Sequence, residues 1–369
     1  MRVLVVDDSA LFRRVLSDVL SSMQGIEVVG WAPNGKVALD KIRDLKPDLV
    51  TLDLEMPEMN GLAVIDALSG TKNAPAIIVV SALTKKGGQL TLEALQKGAF
   101  DFITKPEGAS PEKSKEQLRM ELTARLKAFS DRTGLKRPTP RQELETKTPK
   151  NIVAGRPGKP EMVLIGVSTG GPNALGVMLP GLPKNLGLPV LVVQHMPPVF
   201  TQTLAESLNT KCALKVCEAA DGMVLEANTI YIAPGGRQMR IAVKSTGAKV
   251  IQITDDPPEN NCRPAVDYLF RSAANHFPGK SLGVILTGMG SDGTIGLRLL
   301  KRHGCFVIAQ DEPSCVVFGM PKSAIEAGVV DVVLPLGSIA QRIAVEIRMP
   351  VKTAPPAGPA PTGSGPRKI

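Results

Sequence analysis

DLVTLDLEMPEMNG, at residues 48–61, begins with an apolar run that ends on an aspartate, Asp53. Four similar runs lie around it: RVLVV (2–6), IEVVGWA (26–32), AIIVVSA (76–82) and FDFIT (100–104). Helix-like segments such as LFRRVLSDVLSSM separate these runs. Nearly unbroken Val, Ile and Leu strands are typical of burial on both faces, so the pattern predicts a parallel sheet with helices on either side. We therefore predict a doubly wound α/β domain with its chemistry at the carboxyl ends of the strands.

A second block of the same class begins at MVLIGV (162–167) and continues through LPVLVVQ (188–194). Further strands are predicted at TIYIAP (229–234), KVIQIT (249–254), SLGVILTG (281–288) and CFVIAQ (305–310). The stretch between the blocks is rich in proline, glycine and charge, which is typical of a linker. The last residues are rich in alanine and proline, which predicts disorder. The predicted organisation is a first domain at 1–125, a linker at 126–159, a second doubly wound, mostly parallel domain at 160–349 and a tail at 350–369.

Composition excludes several classes of function. No apolar run approaches the roughly 20 residues of a membrane helix, so we expect a protein that is not embedded in a membrane. The five cysteines are odd in number and form no CxxC pair, which predicts reduced thiols and a cytoplasmic protein. The net charge of +9 is concentrated in residues 111–159 and in the tail. Because the folded parts are then close to neutral, we expect no nucleic-acid partner.

Three carboxylates are predicted to meet at the carboxyl edge of the first sheet. Asp7 and Asp8 follow the first strand, and Asp53 ends the third. Like charges this close must be neutralised by a cation or by raised pKa values, and an oxygen-ligand site for Mg²⁺ satisfies that requirement. Ser81 and Lys105, at the ends of the fourth and fifth strands, belong to the same edge. An aspartate beside Mg²⁺, a lysine and a hydroxyl is an arrangement for accepting a phosphoryl group.

The first domain resembles the flavodoxin-like receivers of two-component response regulators. The resemblance covers about residues 1–125 and rests on four motifs: VDDS (6–9), DLEMPEMNG (53–61), SALT (81–84) and Lys105-Pro106. It implies that a histidine kinase phosphorylates Asp53. It also implies that Asp8 and Asp53 hold Mg²⁺ with Asp7 in support. Ser81 would then sense the phosphoryl group, and Lys105 would pair with it.

The second block carries a serine at the end of an apolar strand. In MVLIGVSTGGPNAL (162–175), Ser168 precedes a glycine pair, and the surrounding residues match the G-x-S-x-G pattern. The same turn is equally suited to holding a phosphate on helix N-terminal amides, so the pattern alone leaves both interpretations open. A base and an orienting acid at neighbouring strand ends would favour a nucleophile.

His195 and Asp292 supply those two groups. Each follows a strand of the second block, whereas His276 and His303 lie in helical stretches, where histidine suits the C-terminal end. Attack by a serine needs a base within hydrogen-bond reach and a carboxylate that orients the base. With Ser168 the set has the chain order Ser–His–Asp. The α/β-hydrolases have the order Ser–Asp–His, so we expect a different fold.

The second block resembles the CheB-type chemotaxis protein-glutamate methylesterases over about residues 160–348. The resemblance rests on STGGP (168–172), QHMP (194–197), YIAPGGRQM (231–239) and LTGMGSDG (286–293). It implies hydrolysis of glutamate methyl esters on chemoreceptors with release of methanol, and deamidation of receptor glutamines. By this resemblance Ser168 is the nucleophile, His195 the general base and Asp292 its orienting partner. The Met289 N–H is an oxyanion donor, and Thr169 assists beside the nucleophile.

The two resemblances also imply partners and cofactors. Methyl-accepting chemotaxis receptors are the implied substrate, a chemotaxis histidine kinase is the phosphodonor, and the unphosphorylated receiver packs over the hydrolase site. Mg²⁺ is expected in the receiver, no cofactor in the esterase, and the chain is expected to be a monomer. The sequence departs from the family at Gln238 and Cys262, where a histidine is common. Neither position belongs to the triad, so we expect hydrolysis to survive and Cys262 to add thiol reactivity.

Two other functions stay open at this level. One is a binding module that holds a phosphorylated ligand at the STGG turn, for which replacing His195 or Asp292 would leave the activity unchanged. A DNA-binding output is disfavoured by the distribution of charge.

Overall fold

The computed structural model describes residues 1–106, 110–133 and 159–348. The predicted tail and most of the predicted linker lie outside these residues. No helix within the described ranges is long and apolar enough to cross a bilayer.

The first domain is built on five strands and five helices. The strands are β1 (Arg2–Val6), β2 (Glu27–Ala32), β3 (Leu49–Asp53), β4 (Ala76–Ser81) and β5 (Asp101–Thr104). The helices are α1 (Ala10–Ser21), α2 (Gly35–Leu45), α3 (Gly61–Leu68), α4 (Lys85–Gln96) and α5 (Pro111–Thr133). The strands form one parallel sheet in the order β2-β1-β3-β4-β5, which confirms the predicted doubly wound class.

Both faces of this sheet are buried, which explains the nearly continuous apolar strands. Val3 and Val5 pack with residues of α1 and α5 on one face. Leu4 and Val6 point to the opposite face and pack with residues of α2, α3 and α4. Successive strand residues therefore alternate between two cores, and no position of β1 after Arg2 is exposed.

Helix α5 continues past residue 125, where the sequence places the end of the domain. It runs to Thr133 although residues 111–133 are strongly charged. The reason is packing, because Leu126, Ala128 and Phe129 are buried against the α1 side of the sheet. Charge on the solvent side of the helix conceals this narrow apolar stripe in the sequence.

The second domain is built on a larger sheet and a separate pair of strands. Its strands are β6 (Met162–Val167), β7 (Val190–Gln194), β8 (Lys215–Glu218), β9 (Thr229–Ile232), β10 (Gln238–Val243), β11 (Lys249–Thr254), β12 (Ser281–Ile285), β13 (Phe306–Gln310) and β14 (Val332–Leu334). Its helices are α6 (Gly171–Met178), α7 (Phe200–Asn209), α8 (Val266–His276), α9 (Thr294–Arg302), α10 (Met320–Glu326) and α11 (Leu336–Glu346). Seven strands form a parallel sheet in the order β14-β13-β12-β6-β7-β9-β8, so β6 lies at its centre.

The stretch KVIQIT is a strand, as predicted, but it lies outside the parallel sheet. As β11 it pairs antiparallel with β10. Its burial alternates at Ile251, Gln252 and Ile253, as expected for a ribbon with one covered face. The hairpin is fastened to α8 by the Ser272 hydroxyl, which accepts a hydrogen bond from the Ile241 N–H at 3.1 Å.

The two domains share a continuous apolar core across their contact. Phe102 of β5 stacks on Phe200 of α7, with ring centroids 4.9 Å apart. Residues of α4, including Leu92 and Leu95, belong to the same buried cluster as Leu204 of α7. The first domain therefore lies against α6 and α7 with the α4 and β5 side of its sheet.

Candidate functional sites of the two domains

The acidic edge of the first sheet forms as predicted. The register pairs Val6 of β1 with Leu52 of β3, so Asp7 and Asp53 leave adjacent strands side by side. Carboxylate oxygens of Asp7, Asp8 and Asp53 lie within 4.8 Å of one another. Asp7 and Asp53 are buried, whereas Asp8 is exposed. The edge thus combines two buried acids with one that solvent reaches.

Lys105 partly neutralises the two buried acids. Its Nζ lies 2.6 Å from Asp53 Oδ2 and 2.8 Å from Asp7 Oδ2. Burial raises the pKa of Asp53 to about 6, although Lys105 favours the ionised form. Burial opposes the charge of Lys105 too, but its bonds to Asp53 and Asp7 outweigh burial and raise the pKa of the lysine. The single positive charge of Lys105 therefore does not balance the negative charge of the three carboxylates.

The donor set fits Mg²⁺. All three candidate ligands are carboxylates, which a hard cation prefers. Asp7 Oδ2 is buried and accepts no well-directed hydrogen bond from the described residues, although the Lys105 ammonium lies beside it. A cavity of about 480 Å³, lined by Asp8, Asp53, Ser81 and Lys105 among others, opens from this edge. A cation at the edge would neutralise the negative charge that Lys105 leaves on the three acids, and the cavity has room for a phosphoryl group.

The serine, histidine and aspartate of the second domain follow three adjacent strands. Ser168 follows β6, His195 follows β7, and Asp292 lies in the turn after β12. The backbone joins these ends, because the Ser168 N–H donates to Thr287 O at 3.0 Å and the His195 N–H donates to Val167 O at 3.2 Å. The structure therefore brings the three predicted residues to one edge of the sheet.

Two of the three make a direct hydrogen bond. His195 Nε2 lies 2.8 Å from Asp292 Oδ2. The carboxylate also accepts bonds from the N–H groups of Val266 at 2.7 Å and Asp267 at 3.0 Å. Burial alone would raise the pKa of Asp292, but His195 and these amides hold it below its usual range. Asp292 is thus an ionised carboxylate that fixes the orientation of the ring.

The other ring nitrogen of His195 faces a thiol. Cys262 Sγ lies 3.6 Å from Nδ1. Among the described residues, no hydrogen bond joins the Ser168 hydroxyl to the ring, and the bond between nucleophile and base often tightens only when substrate binds. Burial opposes a charged ring, but the bonds to Asp292 and Cys262 outweigh burial and raise the pKa of His195 to about 10. The carboxylate and the thiol therefore both favour the protonated form of the ring.

Met289 and Thr169 lie in different surroundings. Met289 lies between two glycines, and within the described chain its N–H donates no hydrogen bond that would compete with an oxyanion. The Thr169 hydroxyl instead donates to Asp101 Oδ2 of the receiver, 3.0 Å away and fully buried. Thr169 was predicted to assist the nucleophile, and in this state its side chain is committed to the other domain.

Gln238, one of the two departures from the family pattern, is fully buried and fixes a neighbouring loop by hydrogen bonds. Its Nε2 donates to the carbonyl oxygens of Pro257 at 3.1 Å and Cys262 at 3.3 Å. Its Oε1 accepts from the Ala265 N–H at 2.9 Å. Gln238 therefore holds the loop that presents Cys262 to His195 at the start of α8.

Sequence reasoning missed Asn260. Its Nδ2 donates to Asp292 Oδ1 at 2.9 Å and to Asp267 Oδ2 at 3.0 Å. Asn260 and Asn261 both have positive φ, 53° and 59°. Consecutive asparagines are a signal for a left-handed turn, and that signal marks this loop in the sequence. The link to Asp292 is tertiary and has no local signature.

The remaining two histidines lie where the sequence predicts them. His276 is the last residue of α8, and His303 caps the C-terminal end of α9. Neither is part of the cluster around Asp292.

Comparisons with known proteins match both domains. The model of the response regulator receiver domain matches residues 3–115, and that of the CheB methylesterase matches residues 163–343. A protein-glutamate methylesterase/protein-glutamine glutaminase of Desulfotalea psychrophila is 49% identical over 360 residues, which cover 95% of this chain and 99% of the relative. The one of Thermotoga maritima is 44% identical over 348 residues, covering 93% and 97%.

Solved structures of Thermotoga maritima CheB resemble the two domains separately. Its methylesterase catalytic domain is 45% identical, with a TM-score of 0.49, and the match covers 50% of this chain and 98% of that one. Its response regulator domain is 40% identical, with a TM-score of 0.32, covering 37% and 98%.

A receiver followed by a CheB methylesterase domain defines a response regulator whose output domain is an enzyme. The chain belongs to the protein-glutamate methylesterase/protein-glutamine glutaminase family.

The raised pKa of Asp53 predicts a pH-dependent effect of its replacement. The folded state favours the neutral acid, so wild-type stability is lost as pH rises through about 6. With EDTA present at about pH 7.5, Asp53→Asn should raise the free energy of unfolding by up to about 3 kcal/mol and so raise the Tm. This stabilisation should become smaller below about pH 6. Thermal unfolding by circular dichroism measures this. Asp40→Asn, at an exposed position of α2, is the control. A gain that does not depend on pH would contradict the explanation.

The thiol beside His195 predicts a shifted pH profile. Cys262 raises the pKa of the ring, so Cys262→Ala should lower it. The base works unprotonated, so the acid limb of kcat/KM for methanol release should move to lower pH. Cys212→Ala, at a partly buried thiol that packs on the apolar core and makes no hydrogen bond to the ring, should leave the limb in place. If the acid limbs of Cys262→Ala and the wild type lie at the same pH, the thiol does not control the pKa of His195.

Proposed function

We propose that this chain hydrolyses glutamate methyl esters on methyl-accepting chemotaxis receptors, releases methanol, and deamidates receptor glutamines, with activation by phosphorylation of Asp53. The observation that most supports hydrolase activity is the 2.8 Å hydrogen bond between His195 Nε2 and Asp292 Oδ2. It lies at the same edge of the sheet as Ser168. The names of the relatives supply the substrate class.

The proposed reaction passes through an acyl-serine. Nε2 of His195 is committed to Asp292, so Nδ1 takes the hydroxyl proton as Ser168 attacks the ester carbonyl. Methanol, or ammonia from a glutamine, leaves with that proton. Water then attacks the acyl-serine with His195 again as base, which frees the glutamate carboxylate and restores the serine. For the first step Nδ1 must leave Cys262 and turn to the hydroxyl.

The Met289 N–H is the proposed oxyanion donor. Gly288 beside it packs so closely that an added Cβ would lie 2.7 Å from Ser168 Cβ. Only glycine permits that approach, and it brings the Met289 amide near the carbon that the serine attacks. An N–H that no described carbonyl accepts is free to bind the developing negative charge.

The receiver is the proposed switch. A chemotaxis histidine kinase would transfer its phosphoryl group to Asp53, and Mg²⁺ held by Asp7, Asp8 and Asp53 would neutralise charge on the phosphoryl oxygens. Lys105 already lies 2.6 Å from the acceptor carboxylate. Exchanging its partner from Asp53 to a phosphoryl oxygen needs little movement.

Ser81 is the proposed sensor. Its hydroxyl is buried and donates to the Gly87 carbonyl, 3.2 Å away in the first turn of α4. A phosphoryl oxygen is a stronger acceptor than a carbonyl, so phosphorylation would draw Ser81 away from α4. The next residue, Gly88, packs directly on α7, because an added Cβ would lie 3.0 Å from Thr203 Oγ1. Loosening this turn therefore weakens the contact between the domains.

The contact between the domains supports inhibition by the unphosphorylated receiver. Asp101 binds Thr169, the residue after the nucleophile, and Asn173 Nδ2 of α6 donates to Leu95 O at 2.6 Å. Substrate has to reach an edge that these contacts cover in part. A phosphoryl group can open the edge only if it stabilises the open arrangement more than the closed one. The proposed release of Ser81 from α4 would supply this difference, because it weakens the closed arrangement.

Further parts of the proposal concern the setting of the enzyme. We place it in the cytoplasm as a monomer that acts on the cytoplasmic parts of receptors. The receiver, extended by α5 to Thr133, and the methylesterase domain at 160–349 are the working units, and the residues between them connect them. Among the described residues, the proposed hydrolysis uses side chains, backbone amides and water alone.

Replacing the nucleophile tests the hydrolase. Ser168→Ala should lower methanol release from methylated receptor membranes by roughly four to six orders of magnitude. Ser291→Ala, at an exposed serine beside Asp292, should keep most of the activity. Phosphorylation of Asp53 by a small phosphodonor should be unchanged in both variants. Near-normal methanol release by Ser168→Ala would exclude the proposed nucleophile.

Removing the contact to Thr169 tests the regulation. Asp101→Ala deletes a buried, charge-assisted hydrogen bond between the domains, so the rate without phosphodonor should rise about tenfold and further stimulation should shrink. Asp40→Ala, at an exposed aspartate of α2, is the control. Methanol release measured with and without phosphodonor and Mg²⁺ decides between the outcomes. An unchanged basal rate with full stimulation would rule out this contact as a restraint.

A further inference from the structure

The thiol of Cys262 lies on the side of His195 that the proposed reaction uses. Its Sγ is 3.6 Å from Nδ1 and 3.4 Å from the Asn260 carbonyl oxygen. The sulfur is only partly buried, and the chain neighbours Asn261 and Arg263 are exposed. The pair is therefore open to small solutes from solvent.

The separation of the two atoms matches a pair of zinc ligands. Bonds of about 2.3 Å from zinc to sulfur and about 2.1 Å from zinc to nitrogen, at a tetrahedral angle, place the two ligand atoms about 3.6 Å apart. Sγ and Nδ1 already have this separation. Neither side chain needs to change its rotamer to share an ion.

The other ring nitrogen is held as in many zinc sites. A histidine that binds zinc usually donates its second N–H to a carboxylate, which fixes the tautomer and makes the free nitrogen more basic. Asp292 Oδ2 accepts from Nε2 at 2.8 Å and is itself fixed by the Val266 and Asp267 amides. Ligand atoms of His195, Cys262 and Asp292 all lie within 4.8 Å of one another.

We propose that Cys262 Sγ and His195 Nδ1 form a binding site for a zinc-class divalent cation, and that the bound cation inhibits the hydrolase. Binding releases the thiol proton and the proton that a charged ring carries on Nδ1, and the cation then engages the Nδ1 lone pair. That lone pair has to accept the Ser168 proton, so the loaded enzyme has no base. Water completes the coordination. Inhibition rests on the proposed role of His195, whereas the site itself does not.

Ligand chemistry separates this site from the acidic edge of the receiver. Thiolate and imidazole select zinc or similar metals, whereas the carboxylates of Asp7, Asp8 and Asp53 suit Mg²⁺. The two domains would thus respond to different cations. Mg²⁺ supports activation, and zinc opposes it at the nitrogen of the base.

Cobalt reports the site without any assay of activity. Co²⁺ added to the reduced full-length protein should give a thiolate-to-cobalt absorption band in the near ultraviolet, displaced by zinc. The band should disappear in Cys262→Ala and persist in Cys212→Ala. Because loss of a mere supporting group costs roughly 10–100-fold in metal affinity, losing the sulfur ligand should weaken zinc binding by about 100-fold. A band that survives in Cys262→Ala, or no band in wild type, overturns the site.

Inhibition is measured separately, relative to each variant's own rate without metal. Zinc should stop methanol release by the wild type and by Cys212→Ala, and EDTA should restore it. Cys262→Ala should need about 100-fold more zinc. Equal sensitivity of Cys262→Ala and wild type overturns the inhibitory mechanism. A Cys262-dependent cobalt band with undiminished methanol release would instead contradict His195 as the base, which distinguishes failure of the proposed function from failure of the metal site.

Discussion

Parallel strands end at a common edge, and both sites of this chain depend on that constraint. In the first sheet it places Asp7 beside Asp53, because β1 and β3 are adjacent and in register. In the second it places Ser168 at the centre, with His195 and Asp292 after the strands on either side. Residues as far apart in sequence as Ser168 and Asp292 therefore share one small region.

The same constraint explains how the domains can regulate one another. Asp101 starts β5 and so lies at the edge of the receiver sheet opposite Asp53, yet it binds Thr169 at the working edge of the hydrolase sheet. β5 and α4 link the phosphorylation site to the covered site. A change at Ser81 has to pass along these packed elements, which also carry Phe102 against Phe200.

Much of this could be predicted from the sequence, since strand ends and turn glycines have local signatures. The pattern located the acidic edge, the Ser–His–Asp set and both sheets. It did not show that α5 continues to Thr133, because charged residues conceal the apolar stripe. It also missed Asn260 behind Asp292 and the thiol at Nδ1. These contacts arise when a loop folds back on the sheet edge, and no spacing in the chain encodes them.

We infer that the receiver restrains access to Ser168 until Asp53 is phosphorylated. The most direct measurement is the rate at which a fluorophosphonate probe labels Ser168 in the full chain, with and without a small phosphodonor and Mg²⁺. We expect faster labelling with phosphodonor in the wild type and no acceleration in Asp53→Ala. Equal labelling rates in the wild type under both conditions, or labelling that does not depend on Ser168, would contradict it.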